Sequence, residues 1–477
     1  MSTQTSAPGS AQGVAARVRP LRQLLPFLYP YRKIIVLAAL TLLVATLATL
    51  AIPFTARYLI DHGLSATNAS AIDRYFAALL GVATVMAVAV ACRHYLVSWL
   101  GERVVADVRK AVYGHVITMD PVFFETTRSG EVLSRLTTDT TLIQTVVGST
   151  VSMALRNVLM VIGGLVMLVL TSPKLAGLIV GLIPLIVVPI AVFGRSVRRL
   201  SRHSQDRIAD VSALAGEVLN GIQVVQAFTY EAQATARYDG AVEQAFDAAR
   251  RRLRARAVLT GLVIFLVFAA AVFLLWNGAQ AVLAGELSPG QLGQFVLYAM
   301  MVGGAAGVLS EVWGELQRAA GATERLMELL HCHASITSPN KPQRLPQPLR
   351  GRVTFEDVTF HYPSRPQQAA LADFSLTVEA GQTIALVGPS GAGKTTVFQL
   401  LLRFYDPQHG TIRLDDVPIT ALALQDLRAS IALVPQDTVI FAADALENIR
   451  YGRPDASDEQ VYRAAQLAAA DGFLSQL

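Results

Sequence analysis

Read along its hydropathy, the chain changes texture about two thirds of the way through. Apolar residues run almost unbroken through six stretches, Ile34 to Ile60, Phe76 to Leu100, Val151 to Thr171, Leu175 to Phe193, Val258 to Leu283 and Leu292 to Val312. Each is long enough to cross a bilayer as a helix, which takes about 20 residues. The first far exceeds the roughly 7 to 15 apolar residues of a signal peptide core, and no small-residue cleavage site follows it, so it is expected to stay in the mature protein. Two connections between spans are long, about 50 residues from Gly101 to Thr150 and about 64 from Gly194 to Ala257, and such loops normally carry structure of their own. In the first, Val104, Val105, Val108, Val112 and Val116 recur at helical spacing, so the second span should continue as helix well past the membrane. At about 1.5 Å per residue each arm reaches tens of ångströms. Asp120-Pro121 reads as a helix start, with Asp as N-cap and Pro at the first helical position, and Ser129-Gly130 reads as a break. The short helix over Pro121 to Thr126 displays Phe123 and Phe124 at a loop tip, where either a partner covers the rings or they pack back on their own arms.

Near Thr337 the pattern changes. Ser338-Pro339-Asn340-Lys341-Pro342 through Pro348 is a Pro-rich linker. Beyond it Arg352 to Tyr362 alternates as a strand does, Thr383 to Val387 is a short apolar strand, Gly388 to Gly393 is a Gly-rich loop, and Thr395 to Phe404 is a helix. Ser457 to Phe473, opened by an N-cap and the acids Asp458 and Glu459, is helical as well. The expected organisation is an N-terminal segment over residues 1–33, a membrane domain over 34–330, a linker over 331–350 and an α/β domain over 351–477.

Composition agrees with this division. Hydrophobic residues make up 53% of the 477 and charged ones 16%, against about 25% charged in an average soluble protein. The formal charge of +5 does not point to nucleic acid, because the arginines cluster beside the apolar spans and no aromatic and basic pattern of a nucleic-acid module occurs. The basic residues orient the spans instead. Arg17, Arg19, Arg22, Arg32 and Lys33 precede the first span, Arg103, Arg109, Lys110, Arg128 and Arg135 follow the second, and Arg195 to Arg207 and Arg250 to Arg256 flank the second long loop. These segments are expected on the cytoplasmic side with both termini, while Asp61 to Tyr75, Ser172 to Lys174 and Ala284 to Gln291 face outward. Cys92 and Cys332 have neither metal nor disulfide spacing and read as free thiols.

The chemistry is concentrated in Gly388-Pro389-Ser390-Gly391-Ala392-Gly393-Lys394-Thr395-Thr396, which fits the phosphate-binding P-loop at every fixed position, in the strand, loop and helix context the motif requires. Gly388, Gly391 and Gly393 let the backbone curl and aim N–H groups at phosphate oxygens, and the helix that follows adds its positive end. Lys394 brings a point charge to the β and γ phosphates, the Thr395 hydroxyl can ligate Mg²⁺, and Thr396 offers a second hydroxyl. Ser390 lies within the loop, and the expected ligands of the site are ATP and Mg²⁺.

Six spans, two long cytoplasmic loops and a P-loop domain in one polypeptide resemble an ABC exporter half-transporter of the multidrug and lipid-flippase type, closest to the bacterial group related to the lipid A flippase. The likeness covers nearly the whole chain from about Leu21. It is carried by Phe123-Phe124, by Ser129 through Asp139, by Gly221 through Phe228, by Phe360-His361-Tyr362-Pro363, by the P-loop and by Leu433-Val434-Pro435-Gln436-Asp437. It implies a six-helix membrane domain followed by an α/β P-loop domain. It makes Tyr362, 26 positions before Gly388, the aromatic that stacks on adenine, where the competing reading is a strand aromatic in the core. It makes Gln436, 42 positions after Lys394, a ligand to Mg²⁺ and a partner of the γ phosphate, which places Lys394 and Gln436 in the catalytic set. The alternative for Gln436 is a surface glutamine at a strand end. The short helices near Pro121 to Thr126 and near Phe228 to Gln233 would press on nucleotide domains, one of them the partner protomer's. The partners implied are membrane lipids, a second half-transporter (a homodimer) and a hydrophobic or lipid-like substrate in the inner membrane, with no nucleic acid.

The sequence departs from that family beyond Gln436. The Ser-Gly-Gly-Gln signature, the apolar strand ending in Asp-Glu and the switch histidine do not occur between Gln436 and Leu477, and Leu414-Asp415-Asp416 reads as a strand and turn. The α/β domain is therefore expected to be incomplete at its C-terminus. Two readings follow: an ATP-driven exporter known from a fragment or truncated product, or an ATP-binding membrane protein that does not hydrolyse and serves as inactive or regulatory partner. Whether the chain is an ATPase stays open on these grounds. For the transport path, Asn157, Asn277, Gln280, Gln294 and Glu311 are polar within spans and compete with a packing role. Gly303 and Gly307 permit close helix contact, and Arg93 and His94 are expected to snorkel.

Overall fold

The computed structural model describes residues 19–63, 69–474 and 476, without the side chains of 62, 63 and 69–72. Arg17, the rest of the segment before residue 19 and positions 64–68 of the loop from Asp61 to Tyr75 lie outside the described residues. After short helical turns over residues 19–31, the next helices are, in chain order, α1 (Arg32–Tyr58), α2 (Ala69–Val116), α3 (Pro121–Thr126), α4 (Ser129–Thr171), α5 (Pro173–Asn220), α6 (Ile222–Ala227), α7 (Glu231–Leu283) and α8 (Pro289–His331). Six of these, all but α3 and α6, are long and apolar enough to cross a membrane. The chain packs as two compact units. One contains the residues up to Ile117 and Gly130–Cys332, and the other contains Thr118–Ser129 and His333–Leu477, so α3 belongs with the second although it lies between spans in sequence.

In the first unit α2 continues as helix through the first long loop, and Val104, Val105, Val108 and Val112 are all at most 1% exposed. The heptad-like valine pattern thus marks a buried seam, as its spacing predicts. Helix α2 crosses α4 where two glycines meet: a Cβ on Gly101 would sit 2.6 Å from the Gly148 Cα. Gly148 lies in a π-turn over Val146–Thr150, whose extra residue per turn adjusts the helix at the crossing. Helices α5 and α7, 48 and 53 residues long, reach about 72 and 80 Å at 1.5 Å per residue. They pack mainly along one another, and each buries only two residues, Leu175 and Ser204 on α5, Ala248 and Gly278 on α7. Many of their other apolar side chains, Val180, Val187, Phe265 and Phe268 among them, are exposed, as lipid-facing helices allow.

Three sequence expectations change. The break at Ser129-Gly130 falls two residues earlier, at Thr127-Arg128, because Ser129 opens α4. The second short helix lies over Ile222–Ala227 rather than near Phe228 to Gln233, since Thr229 takes a left-handed conformation (φ 51°) and α7 begins at Glu231. Nothing lies within 4 Å of a Cβ added at Gly303 or Gly307; among the described span glycines, close approaches occur at Gly163 against Leu50 and Gly278 against Leu292.

The second unit is built on a four-stranded antiparallel sheet in the order β2-β1-β3-β4, from β1 (Val353–His361), β2 (Ala369–Val378), β3 (His409–Leu414) and β4 (Val417–Pro418). Against it lie α9 (Lys394–Leu401) and α10 (Leu424–Ala429), followed by α11 (Ala445–Arg450), α12 (Asp458–Leu467) and α13 (Asp471–Leu474). Phe355, Val358 and Phe360 of β1, Ile412 and Leu414 of β3, and Val397 and Leu400 of α9 form the core. Strict alternation fails between Phe355 and Val358 because Asp357, at φ 49°, inserts an irregularity that returns Val358 to the inside. Asp415 and Asp416, at φ 47° and 65°, make the two-residue turn between β3 and β4, which is the strand and turn that Leu414-Asp415-Asp416 suggests. At α12 the Ser457 and Gln460 side chains form a reciprocal capping box.

The strand expected over Thr383 to Val387 is not formed. These residues are irregular and Val387 is 89% exposed. The same is true of Ile431 to Val434, where Val434 is 92% exposed. Both segments read Ile-Ala-Leu-Val, the near-continuous apolar run of a strand buried on both faces, and such a run becomes a strand only when neighbours supply hydrogen bonds on both edges. Among the described residues neither run has that neighbour.

Candidate nucleotide site

The site grows from the junction of β2 with the start of α9. Gly393 caps α9 in a left-handed conformation (φ 86°), and a Cβ there would fall 2.5 Å from the Ala370 carbonyl oxygen and 2.9 Å from the Leu371 side chain. Only glycine satisfies both the dihedral and the close approach. That contact presses the loop against β2, and Thr396, Val397 and Leu400 on the inner face of α9 bury into the sheet. The far end of α9 is closed by Arg428 of α10, which donates to the Leu402 and Arg403 carbonyls at 3.1 Å each. Burial, and secondarily the neighbouring Arg403, lowers the Arg428 pKa from its usual value.

The phosphate loop itself is exposed. Gly388, Ser390 and Gly391 lie open to solvent, as does Thr395, and among the described residues no hydrogen bond engages the Thr395 hydroxyl. Lys394 folds back and donates through Nζ to the carbonyls of Gly388 and Pro389, both at 2.8 Å. The loop thus carries a cation beside its own carbonyls, at the N-terminus of an eight-residue helix.

Tyr362 follows β1 directly and is brought to the same place. Its hydroxyl lies 2.9 Å from Thr396 Oγ1 and donates to Gln399 Oε1 at 2.5 Å, and its ring meets Phe360 and Tyr405 edge-on, with centroids 4.9 and 5.4 Å apart. The structure therefore joins Tyr362 to Thr396, and it gives Tyr362 the half-buried place of a strand aromatic as well. Gln436 is exposed in irregular chain, and among the described residues no hydrogen bond links it to the loop. No cluster of three or more His, Cys, Asp or Glu suited to a metal occurs among the described residues. At the loop the Thr395 hydroxyl is an oxygen donor of the kind a nucleotide-bound Mg²⁺ accepts, with phosphate and water to complete an oxygen shell.

Helix α3 packs on this unit's core. Asp120, 7% exposed, caps it by accepting from the Phe123 N–H at 3.2 Å, and the same carboxylate accepts from the Ser335 N–H and hydroxyl, both at 2.5 Å, and from the Ile336 N–H at 3.1 Å. Burial alone would raise the Asp120 pKa, but these four hydrogen bonds outweigh it and hold the carboxyl below its ordinary value. Val122 packs against the sheet core, and Glu125 accepts from the Tyr405 hydroxyl at 2.5 Å. Of the two rings at its tip, Phe123 is half-buried and Phe124 is 43% exposed, and they meet edge-on with centroids 5.1 Å apart. Sequence reasoning finds α3 but not these partners. Ser335 is 215 residues from Asp120 and Tyr405 is 280 from Glu125, and no local pattern connects them.

In the membrane unit, Asn277 and Gln280 line a cavity of about 500 Å³ with Thr171, Ser172 and the Lys174–Glu286 ion pair (3.1 Å). Asn157 and Gln294 are instead buried between helices, at 3% and 2% exposure, and Glu311 is exposed. Arg93 Nη1 donates to Ser152 Oγ at 2.9 Å.

A bundle of membrane-spanning helices joined in one chain to a P-loop domain defines a fused permease and nucleotide-binding protein. Residues 35–306 match the family model described as the ABC transporter transmembrane region, and residues 371–476 match the one described as ABC transporter. The chain belongs to the ABC transporter family, as a fused half-transporter of the exporter kind. It is 30% identical over 464 residues to an export ATP-binding/permease protein of Rickettsia typhi, covering 96% of this chain and 80% of that one. It is 34% identical over 441 residues to the mitochondrial ATP-binding cassette sub-family B member 10 of Mus musculus, covering 91% and 61%. It is 31% identical over 465 residues to an ABC multidrug transporter of Aspergillus fumigatus, covering 96% and 58%. It is a multi-pass membrane protein with an ATP-binding domain.

Proposed function

We propose that the protein couples Mg-ATP to the export or flipping of a hydrophobic or lipid-like compound across the inner membrane. It works as a homodimer with both termini in the cytosol. The observation that carries this reading is the different fate of the two short helices. Helix α3, from the first long loop, is packed on its own chain's nucleotide unit through Val122, Asp120 and Glu125. Helix α6 and the turn after it, from the second, leave Val224, Phe228 and Tyr230 at 62%, 76% and 54% exposure. A second copy offers α6 a nucleotide unit of the same kind, and a symmetric pair satisfies both loops.

In the site, Gly388, Ser390, Gly391 and Gly393 present the loop backbone to the phosphates, Lys394 neutralises the β and γ groups, and Thr396 supplies a hydroxyl contact. Tyr362 stacks on the adenine. Thr395 and Gln436 would hold Mg²⁺, which would supply positive charge against the phosphate oxygens. The domain limits follow the function: a membrane part over 34–330, a linker over 331–350 and a nucleotide part from 351. Asn277 and Gln280, on the wall of the 500 Å³ cavity, are the polar candidates for the path.

The experiment is reconstitution of the protein in vesicles with fluorescent phospholipid and, separately, with hydrophobic dyes. ATP-dependent movement of lipid or dye, lost in Lys394→Ala, is the expected result. Movement that is unchanged in that variant overturns the reading.

A further inference from the structure

Two tyrosines connect the nucleotide site to α3. The Tyr362 hydroxyl occupies Thr396 and Gln399 at the start of α9 (2.9 and 2.5 Å), and its ring lies edge-on to Tyr405 at 5.4 Å. Tyr405 is 5% exposed, and its hydroxyl donates to Glu125 Oε1 of α3 at 2.5 Å. Phe360 touches both rings, at 4.9 and 5.4 Å, so the three aromatics form one cluster in which no ring moves alone.

The groups around the loop satisfy one another. Thr396 faces Tyr362, and Lys394 spends its charge on the carbonyls of Gly388 and Pro389. Placing phosphates in the loop requires Lys394 to leave those carbonyls and the Thr396 hydroxyl to exchange its partner, and this leaves the Tyr362 hydroxyl held by Gln399 alone. The Tyr405 ring packs on that ring, and its buried O–H is committed to a carboxylate 280 residues away in the chain. A phenylalanine would fill the same space, so the hydroxyl serves the bond to α3 rather than the core.

We propose that Tyr405 is a positioning residue that couples occupancy of the phosphate loop to the docking of α3, acting through Tyr362 on one side and Glu125 on the other. This rests on the reading of residues 388–396 as an ATP site. Burial, then the hydrogen bond to the Glu125 carboxylate, raises the Tyr405 pKa well above its ordinary value, so the hydroxyl remains a donor throughout the physiological range.

The test uses the full chain in nanodiscs, with Mg-ATP as probe, and reads hydrogen exchange of the segment 121–127 with and without nucleotide beside the ATP affinity. In the unaltered protein Mg-ATP should change exchange of that segment by about three- to tenfold, the scale of one hydrogen bond. In Tyr405→Phe, ATP affinity should stay within about twofold while the nucleotide-dependent change disappears. Glu125→Ala, at an exposed position that does not threaten the core, should behave the same way, and Glu125→Gln, which keeps an acceptor oxygen, should retain most of the change. A merely structural bond would raise exchange equally with and without nucleotide in Tyr405→Phe, leaving the difference intact, and that result overturns the proposal. Failure of the unaltered chain to bind Mg-ATP overturns the nucleotide reading and the proposal with it, whereas retained binding with a retained difference overturns the proposal alone.

Discussion

Lys394 Nζ and the Gly388 carbonyl oxygen lie 2.8 Å apart, so the cation that the P-loop needs for phosphate is held by the loop's own backbone. A nucleotide competes for that bond and for the matching one to Pro389. Lys394→Ala removes the charge-assisted contacts to the β and γ phosphates, worth about 1.5–3 kcal/mol each. ATP binding measured by equilibrium dialysis should weaken by at least about tenfold, and Lys394→Arg should recover little because the planar fork does not replace a point charge. Equal affinities in the alanine variant and the parent would remove Lys394 from the site.

Asp120 carries a prediction about acid. The folded carboxyl sits below its ordinary pKa, so its contribution to holding α3 against Ser335 and Ile336 is complete above the unfolded value of about 3.9 and fades as pH falls through the lower folded value. Protection of residues 121–127 from hydrogen exchange should therefore be flat near neutrality and decline at acid pH. Asp120→Asn should be weaker at neutral pH and should not show that decline. Asp120→Ala should loosen α3 by roughly 2–4 kcal/mol, combining a lost N-cap with lost bonds to a charged acceptor. An acid profile shared by the asparagine variant would assign the decline to another group.

How far the sequence carried this picture differs by element. The valine seam of α2, the cap at Asp120, the capping box at Ser457 and the turn at Asp415-Asp416 are local devices, and periodicity or turn chemistry reveals each of them. The P-loop was legible for the same reason, because its geometry is set by nine consecutive residues. Thr383 to Val387 was not legible as it stands, since an apolar run becomes a strand only through neighbours elsewhere in the chain. Tyr362 shows the limit at the site: its distance in sequence from Gly388 suggested a role, but the hydrogen bonds to Thr396 and Gln399 depend on how β1 lies against α9.

Arg325 and Asp139 form a bidentate pair, with Nε and Nη2 at 2.9 and 2.6 Å from the two carboxylate oxygens, and so tie α8 to α4 within the first unit. The carboxylate is 8% exposed and the guanidinium 47%, so the pair is half in water and its loss is discounted accordingly. Arg325→Ala leaves a nearly buried charge unpaired and should cost about 2–3 kcal/mol, seen as a lower midpoint of thermal aggregation in detergent. Arg325→Ala with Asp139→Asn should recover part of the loss, because the unpaired charge is gone. No recovery in the double variant would mean that the pair does not act as a unit.

Gly393 and Gly391 separate two effects that are usually confounded. Both have positive φ, 86° and 84°, so alanine at either pays the left-handed backbone penalty of about 1–2 kcal/mol. Only at Gly393 does the new methyl also meet an obstacle, the Ala370 carbonyl oxygen at 2.5 Å, while nothing lies within 4 Å at Gly391. Backbone cannot swing aside as a side chain can, so Gly393→Ala must move α9 away from β2 or leave the left-handed conformation that starts the helix. Either response disturbs the packing of Val397 and Leu400 as well as the phosphate loop. Gly391→Ala should therefore lower stability by about 1 kcal/mol with the core intact, and Gly393→Ala by about 3 kcal/mol or more. Limited proteolysis of the second unit in the full chain distinguishes them. Gly393→Ala should be cut many times faster than the parent and Gly391→Ala only a few times faster, and equal rates would show that the loop is not pressed against β2.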